Sequence, residues 1–460
     1  MSALLKQYFE WDYPVVDKGE GIWLWDIQGK KYLDGTSGAM TANIGHGVEE
    51  VAQALYDQAS KIAFAFRNQF TNAPAEKLAE RLVKLAGGKI SHAFFVNSGS
   101  EANEYVMRLV LQYWQEKGKP NKTQFISREQ SYHGMTLGAL SLSGFPARKV
   151  SFESMLHDFP KAASIHSYQG SRAQSASGTK GHAYDSYQHA IRQHEVNSIG
   201  NVKDWEQKIL QIGASNVAAV VVEPITGAAG GALIAPKNYY RQLKEICDKH
   251  DVLLIFDEVI TGLGRSGSWF ACHYEGVEPD LITTAKGLTA GYSPVGAVLI
   301  GQEIIDTLKK GSGASPGGHT FSCNPLGAAA CLAALDFIEK NQLIENVKKR
   351  APELQVGLEQ LAQKYPIMAN VRGRGLLWGF DIVPVEKIAL NHEEALSALS
   401  FARICQENGL LVYPSGMQPF NQAAMLAPPF VISAEEIQVL LQLLENSLEQ
   451  LTQKASAMMY

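Results

Sequence analysis

The middle of the chain alternates short apolar runs with segments of helical periodicity. Residues 75–86, for example, carry apolar positions at helical spacing and end at Gly87-Gly88, which predicts a helix with a glycine stop. Apolar runs that predict strands lie at 93–96, 123–127, 217–222, 252–257, 281–284 and 295–301. This alternation is typical of a parallel sheet that helices cover on both faces, so we expect an α/β fold.

The two ends of the chain follow a different pattern. Residues 21–34 alternate apolar and polar positions around Gln28-Gly29, which predicts a β-hairpin with a tight turn. From residue 330 onward, helical segments alternate with short strands, and the last long helical segment begins near residue 434. This change of pattern predicts a separate α+β lobe at the C-terminal end.

Composition and charge exclude several classes of function. The 460 residues carry a net charge of −5, and neither sign forms a block, so a nucleic-acid or anionic-membrane partner is not favoured. No apolar run approaches the roughly 18 residues that span a bilayer, and the N-terminus does not resemble a secretion signal. The odd cysteine count, without any C-x-x-C pair, favours neither disulfides nor a zinc site. We therefore expect a soluble, unprocessed protein of the reducing cytoplasm.

Two of the predicted strands end in side chains that suit one cofactor. Asp257 ends the run at 252–257, and Lys286 follows the run at 281–284. An aspartate that keeps a pyridine nitrogen protonated and a lysine that forms an imine are the pair that pyridoxal phosphate requires. The same Asp257-Glu258 pair could carry magnesium in a P-loop ATPase, but the phosphate-loop motif G-x-x-x-x-G-K-[ST] is absent. A solvated acidic pair at a strand end is the remaining alternative.

Other strand ends and loops carry weaker signals. The turn at Ser98-Gly99-Ser100 could hold a phosphate at a helix N-terminus, or Ser100 could simply cap that helix. Tyr132 could lie over a flat cofactor or pack in the core. Because ligands bind at the carboxyl ends of parallel strands, we expect Ser98, Tyr132, Glu223, Asp257 and Lys286 to meet at one edge of the sheet. Thr320 lies in a glycine-rich loop that could add a phosphate contact or only connect two elements.

Residues 164–200 are polar, rich in glycine and serine, and predict a long surface loop. The histidines of this segment, His182, His189 and His194, lack the spacing of a metal site. We therefore predict no metal centre.

Seven motifs of this chain, in this order and spacing, resemble those of the class III pyridoxal-phosphate aminotransferases of fold type I. The motifs are FVNSGSEAN (95–103), SYHG (131–134), VVVEPITGAAGG (220–231), LIFDEVITGLGRSG (254–267), TTAKG (283–287), GHTFSCNPLGAAA (318–330) and VRGRGL (371–376). The resemblance runs nearly end to end. It implies a large domain with a mostly parallel seven-stranded sheet and a smaller α+β domain built from both chain ends. The expected divisions are 1–47 and 330–460 for the small domain and 48–329 for the large, cofactor-binding domain.

The resemblance also assigns roles to residues around the cofactor ring. Lys286 would form the imine and then move the proton during the reaction. Asp257 would pair with the pyridinium nitrogen, while Val259 and Tyr132 would lie against the two ring faces. Glu223 would lie near the phenolic side of the ring and help to orient the substrate.

A second set of implied residues concerns the phosphate and the assembly. Ser98, Gly99 and Ser100 would form the phosphate cup, with Gly99 and Ser100 holding the phosphate. Thr320 of a second subunit would join them, so the resemblance implies a homodimer with shared active sites, or a tetramer. His133 is expected to be a neighbour of the site, with packing as its role.

The substrate is less well defined, because the sequence departs from the family pattern. Members of the family often bind a carboxylate with an arginine before Ala-Pro-Pro, where this chain has Met425, or with an arginine in the loop 415–423, which has none. Arg67 and Arg374 are the remaining arginines considered for that contact. The apolar residues considered for an amine substituent are Trp23, Met40, Phe64 and Phe66.

The function predicted from these observations is a transaminase of the ω-amino acid and amine:pyruvate group. It would move an amino group from an amine or ω-amino acid to a keto acid such as pyruvate or 2-oxoglutarate in a ping-pong reaction. The alternatives are a racemase, an aminomutase or a decarboxylating enzyme of the same fold type, and a non-catalytic relative.

Overall fold

A computed structural model describes residues 3–165, 201–383, 397–417 and 420–457. The histidines of the predicted loop at 164–200 lie outside the described residues. The described strands, in chain order, are β1 (Val16–Glu20), β2 (Trp23–Asp26), β3 (Lys31–Asp34), β4 (Ile90–Val96), β5 (Gln124–Arg128), β6 (Lys161–Ala162), β7 (Val217–Val222), β8 (Ile225–Thr226), β9 (Leu233–Ile234), β10 (Leu253–Asp257), β11 (Leu281–Thr284), β12 (Gly296–Gly301), β13 (Met368–Arg374), β14 (Leu377–Ile382), β15 (Leu410–Leu411), β16 (Tyr413–Ser415) and β17 (Ala423–Leu426).

Seven of these strands form the central sheet in the order β4-β12-β11-β10-β7-β5-β6. The pairs that involve β12 are antiparallel, whereas β11, β10, β7, β5 and β6 pair in parallel. Every residue of β7, β10, β11 and β12 is buried, which explains why these strands are continuous apolar runs. The predicted mostly parallel, seven-stranded sheet is therefore confirmed.

Helices cover this sheet and build the rest of the molecule. The described α-helices are α1 (Ser37–Met40), α2 (Glu49–Lys61), α3 (Ala73–Ala86), α4 (Gly99–Glu116), α5 (Leu137–Leu142), α6 (Val202–Ile212), α7 (Tyr239–Lys249), α8 (Ala271–Glu275), α9 (Gln302–Lys310), α10 (Pro325–Lys340), α11 (Leu343–Lys364), α12 (Ala398–Glu407) and α13 (Ala434–Ala457). Local sequence fixes several starts: the Asn72 side chain accepts the Ala75 N–H at 3.0 Å and caps α3. No helix among the described residues is long and apolar enough to cross a membrane.

Both chain ends form mainly antiparallel sheets, as the sequence predicts, although β15 pairs with β3 in parallel. The hairpin of β2 and β3 turns at Gly29, whose N–H donates to the Asp26 carbonyl at 2.9 Å and whose φ is +84°. This hairpin belongs to a four-stranded sheet, β1-β2-β3-β15, so a strand of the C-terminal lobe extends the N-terminal sheet. A second sheet, β13-β14-β17-β16, completes the expected α+β lobe.

The boundary predicted at 329/330 falls inside a continuous helix. α10 contributes Cys331 and Leu335 to the core on one face of the central sheet, and Ala334 and Ile338 to the core of the C-terminal lobe. The small side chains of α10 thus pack against the central sheet on one side and against the C-terminal lobe on the other. The division into domains stays a prediction.

Candidate active site

A cavity of about 500 Å³ opens at the edge of the central sheet where the parallel strands end. The lining includes eight of the residues that the sequence proposes as cofactor contacts. These are Ser98, Gly99, Ser100, Tyr132, Glu223, Asp257, Val259 and Lys286. Signals spread over almost two hundred residues of sequence thus meet in one place, as the strand-end rule predicts.

Asp257 ends β10 and is held by three donors. Its Oδ1 accepts the Val259 N–H at 3.1 Å, and its Oδ2 lies 2.9 Å from the Asn103 amide nitrogen, which donates to it. The same Oδ2 lies 2.8 Å from Nδ1 of the buried His133. The carboxylate is therefore fixed in one orientation while it remains part of the cavity lining.

Asn103 and His133 are the residues that the sequence reasoning undervalued. The fully buried Asn103 amide also donates to the His133 carbonyl at 2.7 Å and accepts the Thr283 hydroxyl at 3.2 Å. It thereby joins α4, the loop after β5, and strands β10 and β11. One feature of the sequence does point to Asn103. It is a polar residue one helical turn after Gly99, on the face of α4 whose other residues are apolar and therefore predicted to be buried.

Lys286 follows β11 and opens a single 3₁₀ turn that ends at Leu288. Its φ is +46°, an uncommon left-handed conformation for a residue with a side chain. Burial lowers the pKa of the amine to about 8, against the opposing effect of the Asp257 and Glu223 carboxylates. No described residue accepts a hydrogen bond from its Nζ atom. The cavity thus holds an amine that is free to react.

The N-terminus of α4 forms another wall of the cavity. Ser98, not Ser100, is the capping residue, because its Oγ accepts the Glu101 N–H at 3.1 Å. Gly99 is required here, since a β-carbon at this position would lie 2.9 Å from Cγ2 of Val259. Ser100 Oγ accepts the Met135 N–H at 3.1 Å. The first turn of an 18-residue helix therefore faces the cavity, and its N–H groups suit an anion.

Glu223 follows β7 and is buried beside Tyr132. Its two oxygens accept the N–H groups of Tyr132 and Gly227, each at 2.9 Å, and burial raises the pKa of the carboxyl group. The carboxylate therefore fixes the backbone of Tyr132. The Tyr132 ring lies edge-to-face with Phe145, with the ring centroids 6.5 Å apart.

Glu258, the second acid of the pair considered for magnesium, points away from the cavity lining. Its oxygens accept the Thr261 hydroxyl at 2.6 Å and the N–H groups of Ala271 and Cys272, each at 2.8 Å. These bonds close the glycine-rich turn onto the start of α8. Within the described ranges, no group of three His, Cys, Asp or Glu side chains is placed to hold a metal.

Two of the proposed substrate residues lie away from the cavity surface. The Trp23 indole donates to Glu436 Oε1 at 3.0 Å and packs against the C-terminal lobe. Met40 is buried in a small cluster with Ile225 and Ile260, two residues that do line the cavity. Met40 thus supports the wall from behind, whereas the structure does not bring Trp23 to the site.

The segment that carries Phe64, Phe66 and Arg67 lies near the loop of Thr320. Phe64 meets Phe321 edge-to-face with the centroids 6.1 Å apart, and the Arg67 guanidinium lies 5.7 Å from the Phe94 ring centroid. Phe66 and Thr320 are exposed. None of these residues lines the cavity of their own chain.

The remaining arginine considered for a carboxylate also lies elsewhere. Arg374 stacks on Tyr274, and burial lowers the pKa of its guanidinium. Met425, the residue considered above because of its place before Ala-Pro-Pro, is fully buried in β17. The described cavity lining therefore contains no guanidinium.

These residues fit pyridoxal phosphate. The missing β-carbon of Gly99 leaves room beside Val259, the helix N-terminus suits a phosphate, and the fixed Asp257 carboxylate suits a pyridinium nitrogen. The amine of Lys286 lines the same cavity.

Comparison with known proteins agrees with this geometry. The family model for aminotransferase class-III matches residues 9–448. The uncharacterized aminotransferase YodT of Bacillus subtilis is 40% identical over 451 residues, which cover 97% of each chain. The putrescine–pyruvate aminotransferase of Pseudomonas aeruginosa is 34% identical over 97% of this chain and 92% of its own.

Among solved structures, a transaminase from the marine bacterium Virgibacillus superposes with a TM-score of 0.85 at 30% identity, over 97% of this chain and 95% of that chain. The predicted family, fold type I and cofactor are thereby confirmed. The chain belongs to the class III aminotransferases, enzymes that transfer amino groups with pyridoxal phosphate.

Proposed function

We propose that this enzyme transfers the amino group of an amine or an ω-amino acid to a keto acid such as pyruvate or 2-oxoglutarate, in a ping-pong reaction. The observation that carries the proposal is the meeting of Lys286, Asp257 and the α4 N-terminus in one cavity. The named activity of the Pseudomonas aeruginosa relative, which pairs an amine with pyruvate, supports this choice of substrates.

The residues that would hold the cofactor divide by the part that they contact. Gly99 and Ser100, with Ser98 as their cap, would bind the phosphate, and Thr320 of a second subunit would add a hydroxyl. Asp257 would bind the ring nitrogen, while Val259 and Tyr132 would enclose the ring and Glu223 would lie on its phenolic side. When bound, pyridoxal phosphate supplies an aldehyde for the amine and a cationic ring that accepts electrons.

Lys286 would be the nucleophile and the group that moves the proton. An amine with a pKa of about 8 is neutral in roughly one molecule in ten at pH 7, against roughly one in three thousand at the ordinary lysine pKa. Burial therefore raises the fraction of the reactive form by about two orders of magnitude.

Asp257 would keep the ring nitrogen protonated, and its neighbours explain how. The Asn103 amide and His133 bind the same oxygen, Oδ2, at 2.9 and 2.8 Å, while Oδ1 has a single N–H donor at 3.1 Å. Because these hydrogen bonds fix the carboxylate before the cofactor binds, it would not need to rotate to pair with the protonated ring nitrogen.

The cavity wall favours an amine with an apolar chain. Ile225 and Ile260 line the wall, and Met40 packs behind them. The carboxylates of Asp257 and Glu223 lie in the same lining, where an anionic substrate close to the reacting atoms would be repelled. A simple amine, or an amino acid whose carboxylate lies several bonds from the amine, avoids that repulsion.

A homodimer with shared active sites is part of the proposal. Phe64 is 39% exposed and meets Phe321, which is 60% exposed and follows the exposed Thr320; Phe66, two residues after Phe64, is 47% exposed. Monomers rarely expose a group of large aromatic side chains, so a second copy of this chain is the occupant that we propose. That arrangement would also bring Phe66 and Arg67 toward the partner's cavity. Sedimentation of the holoenzyme at about twice the chain mass supports it, whereas a monomer with full activity contradicts it.

We further propose a cytoplasmic location and the domain division 1–47 with 330–460, and 48–329. The five cysteines are free, and four of them are buried, which suits a reducing compartment. Ile22 and Leu33 of the N-terminal segment pack in the same core as Leu410 and Leu426, which supports their assignment to the small domain.

A panel of single amines tests the proposed reaction. Each amine is mixed with holoenzyme in the absence of keto acid, and the cofactor absorbance is followed; conversion that pyruvate reverses supports the proposal. No change with any amine would contradict it, and racemization of an amino acid without a keto acid would indicate the racemase alternative. Lys286→Ala should abolish turnover and still bind the cofactor through its phosphate, so full activity of that variant would refute the role of Lys286.

A further inference from the structure

The cavity lacks a built-in partner for a substrate carboxylate. Its lining carries two carboxylates, Glu223 and Asp257, and Lys286 is its one amine among the described residues. Lys286 reacts and so cannot also serve as a fixed counter-ion. An ω-amino acid that binds here needs a cation from just outside the lining.

The described part of the loop after β16, the second place considered above for a carboxylate-binding arginine, packs against apolar residues. Met417 is 4% exposed and packs in a cluster with Phe145 and Ala229, against which Tyr132 also lies. Its N-terminal neighbour Gly416 donates an N–H to the Ala228 carbonyl at 3.1 Å. This loop therefore supplies an apolar surface at the cavity edge and no charge.

Arg148 supplies the charge on the same surface. Its guanidinium carbon lies 5.2 Å from the centroid of the Tyr132 ring and 5.2 Å from that of the Phe145 ring. Since these rings meet edge-to-face, the guanidinium lies in the notch between them. Tyr132 lines the cavity, so a single aromatic ring separates Arg148 from the lining.

The backbone holds Arg148 in that position. The Gly144 N–H donates to Ser131 Oγ at 3.0 Å, and the Gly144 carbonyl accepts the Gln130 N–H at 2.9 Å. The turn then continues into the 3₁₀ segment Pro146–Arg148, where the Arg148 N–H donates to the Phe145 carbonyl at 3.1 Å. The residues before Tyr132 and the residues before Arg148 are thus tied together.

The guanidinium has no competing partner in the described part of the chain. None of the sixteen ion pairs among the described residues involves Arg148, so no described carboxylate lies within 4.0 Å of its guanidinium. The ring faces of Tyr132 and Phe145 attract the cation but do not replace a carboxylate as acceptor, so the N–H groups of the guanidinium are available for a bidentate carboxylate contact.

We propose that Arg148 binds the distal carboxylate of an ω-amino acid donor whose chain lies along Tyr132. The inference rests on the proposed donor class and adds to it a specificity-determining residue. Because Arg148 lies outside the cavity lining, it would contact a carboxylate that lies several bonds from the reacting amine. Amines without a carboxylate would bind the same apolar surface and leave Arg148 solvated.

The test compares matched donors in the first half-reaction of the holoenzyme. The pairs are 4-aminobutanoate with butylamine and 3-aminopropanoate with propylamine, followed by cofactor absorbance under single-turnover conditions. Arg148→Gln should lower kcat/KM for the amino acids by about 10- to 100-fold, the range of a charge-assisted hydrogen bond. It should change the values for the alkylamines less than about twofold, which is within the range of a surface substitution. Arg148→Lys should restore part of the loss, because lysine keeps the charge without the bidentate geometry.

Arg403→Gln is the matched control, because Arg403 also stacks on an aromatic ring, 4.4 Å from the Trp11 centroid, and does not line the cavity. It should leave both donor classes unchanged. An equal loss for amino acids and alkylamines in Arg148→Gln would overturn the proposal, because Arg148 would then act through the placement of Tyr132. A loss confined to the reaction of pyruvate with the aminated enzyme would also overturn it and assign Arg148 to the acceptor.

Calorimetric titration of the holoenzyme with butanoate, which has no amine, separates this inference from the proposed function. If Arg148→Gln weakens butanoate binding by about tenfold or more, the result supports the inference. This holds even if the wild-type enzyme converts none of the four donors, because that second result would refute only the proposed donor class. Binding that is equal in both proteins would overturn the inference.

Discussion

Replacement of Lys286 by methionine should stabilise the apoenzyme at neutral pH. Burial lowers the pKa of this amine from 10.5 in the unfolded chain to about 8 in the folded protein. Below pH 8 both states carry the proton, and the folded state bears the full cost of a poorly solvated ammonium group. Methionine has a similar length and no charge, so Lys286→Met removes that cost.

The magnitude follows from the size of the shift. A difference of about 2.5 pKa units corresponds to at most about 3 kcal/mol, since one unit equals 1.36 kcal/mol and the side chain retains some contact with the cavity. Between pH 8 and 10.5 the unfolded state binds more protons than the folded state, so the stability of the wild-type protein rises with pH. The advantage of Lys286→Met should therefore fall from about 3 kcal/mol at pH 7 to about 1 kcal/mol at pH 10.

Urea unfolding of the two apoenzymes at one protein concentration, between pH 7 and 10, measures this difference. Lys122 provides the contrast, because its buried amine donates to the carbonyls of Ala214, Val217 and Asp251 at 2.9, 3.0 and 2.6 Å. Lys122→Met leaves three acceptors unpaired and should lower stability at pH 7 by several kcal/mol. Equal stability of wild type and Lys286→Met at pH 7, or a gap that stays constant with pH, would refute the reasoning.

Three further substitutions test the site. Asn103→Ala removes three buried hydrogen bonds and should lower the free energy of unfolding by roughly 3 kcal/mol and weaken cofactor affinity; an unchanged cofactor titration would contradict its positioning role. Gly99→Ala places a β-carbon 2.9 Å from Val259 and should weaken cofactor binding; equal cofactor affinity of this variant and the wild type would refute the requirement for glycine. Arg67→Ala should raise the KM for the keto acid about tenfold or more, since a charge-assisted contact is lost; an unchanged KM would remove Arg67 from the site.

The sequence predicts the sheet and its edge well, because both depend on local pattern. Buried parallel strands must be continuous apolar runs, so β7, β10 and β11 are visible without a structure, and the residues that follow them must share an edge. The same pattern does not reveal that β12 runs antiparallel, since burial on both faces gives the same apolar run in either direction.

Contacts between distant segments account for what the sequence did not predict. A buried asparagine on a helix gives no local sign that it meets an aspartate 154 positions later, as Asn103 meets Asp257. Aromatic residues such as Trp23 suit a pocket and a lobe interface equally, and only the tertiary fold brings Glu436 to its indole. The sequence gives no sign of the contact between Arg148 and Tyr132, because the two residues are 16 positions apart and belong to no common motif.

The position of Asp257 also depends on the lobe that the chain ends build. Arg265, in the glycine-rich turn that begins at Asp257, is fully buried and donates to the carbonyls of Leu376 and Pro428 at 2.9 and 2.6 Å and to Ser37 Oγ at 3.0 Å. These three acceptors come from the N-terminal segment and the C-terminal lobe. Removal of any one leaves a buried cation with an unpaired donor, which is among the more costly defects in a core. The turn is therefore held only where both chain ends are docked, so the geometry at Asp257 and the folding of the outer lobe are coupled.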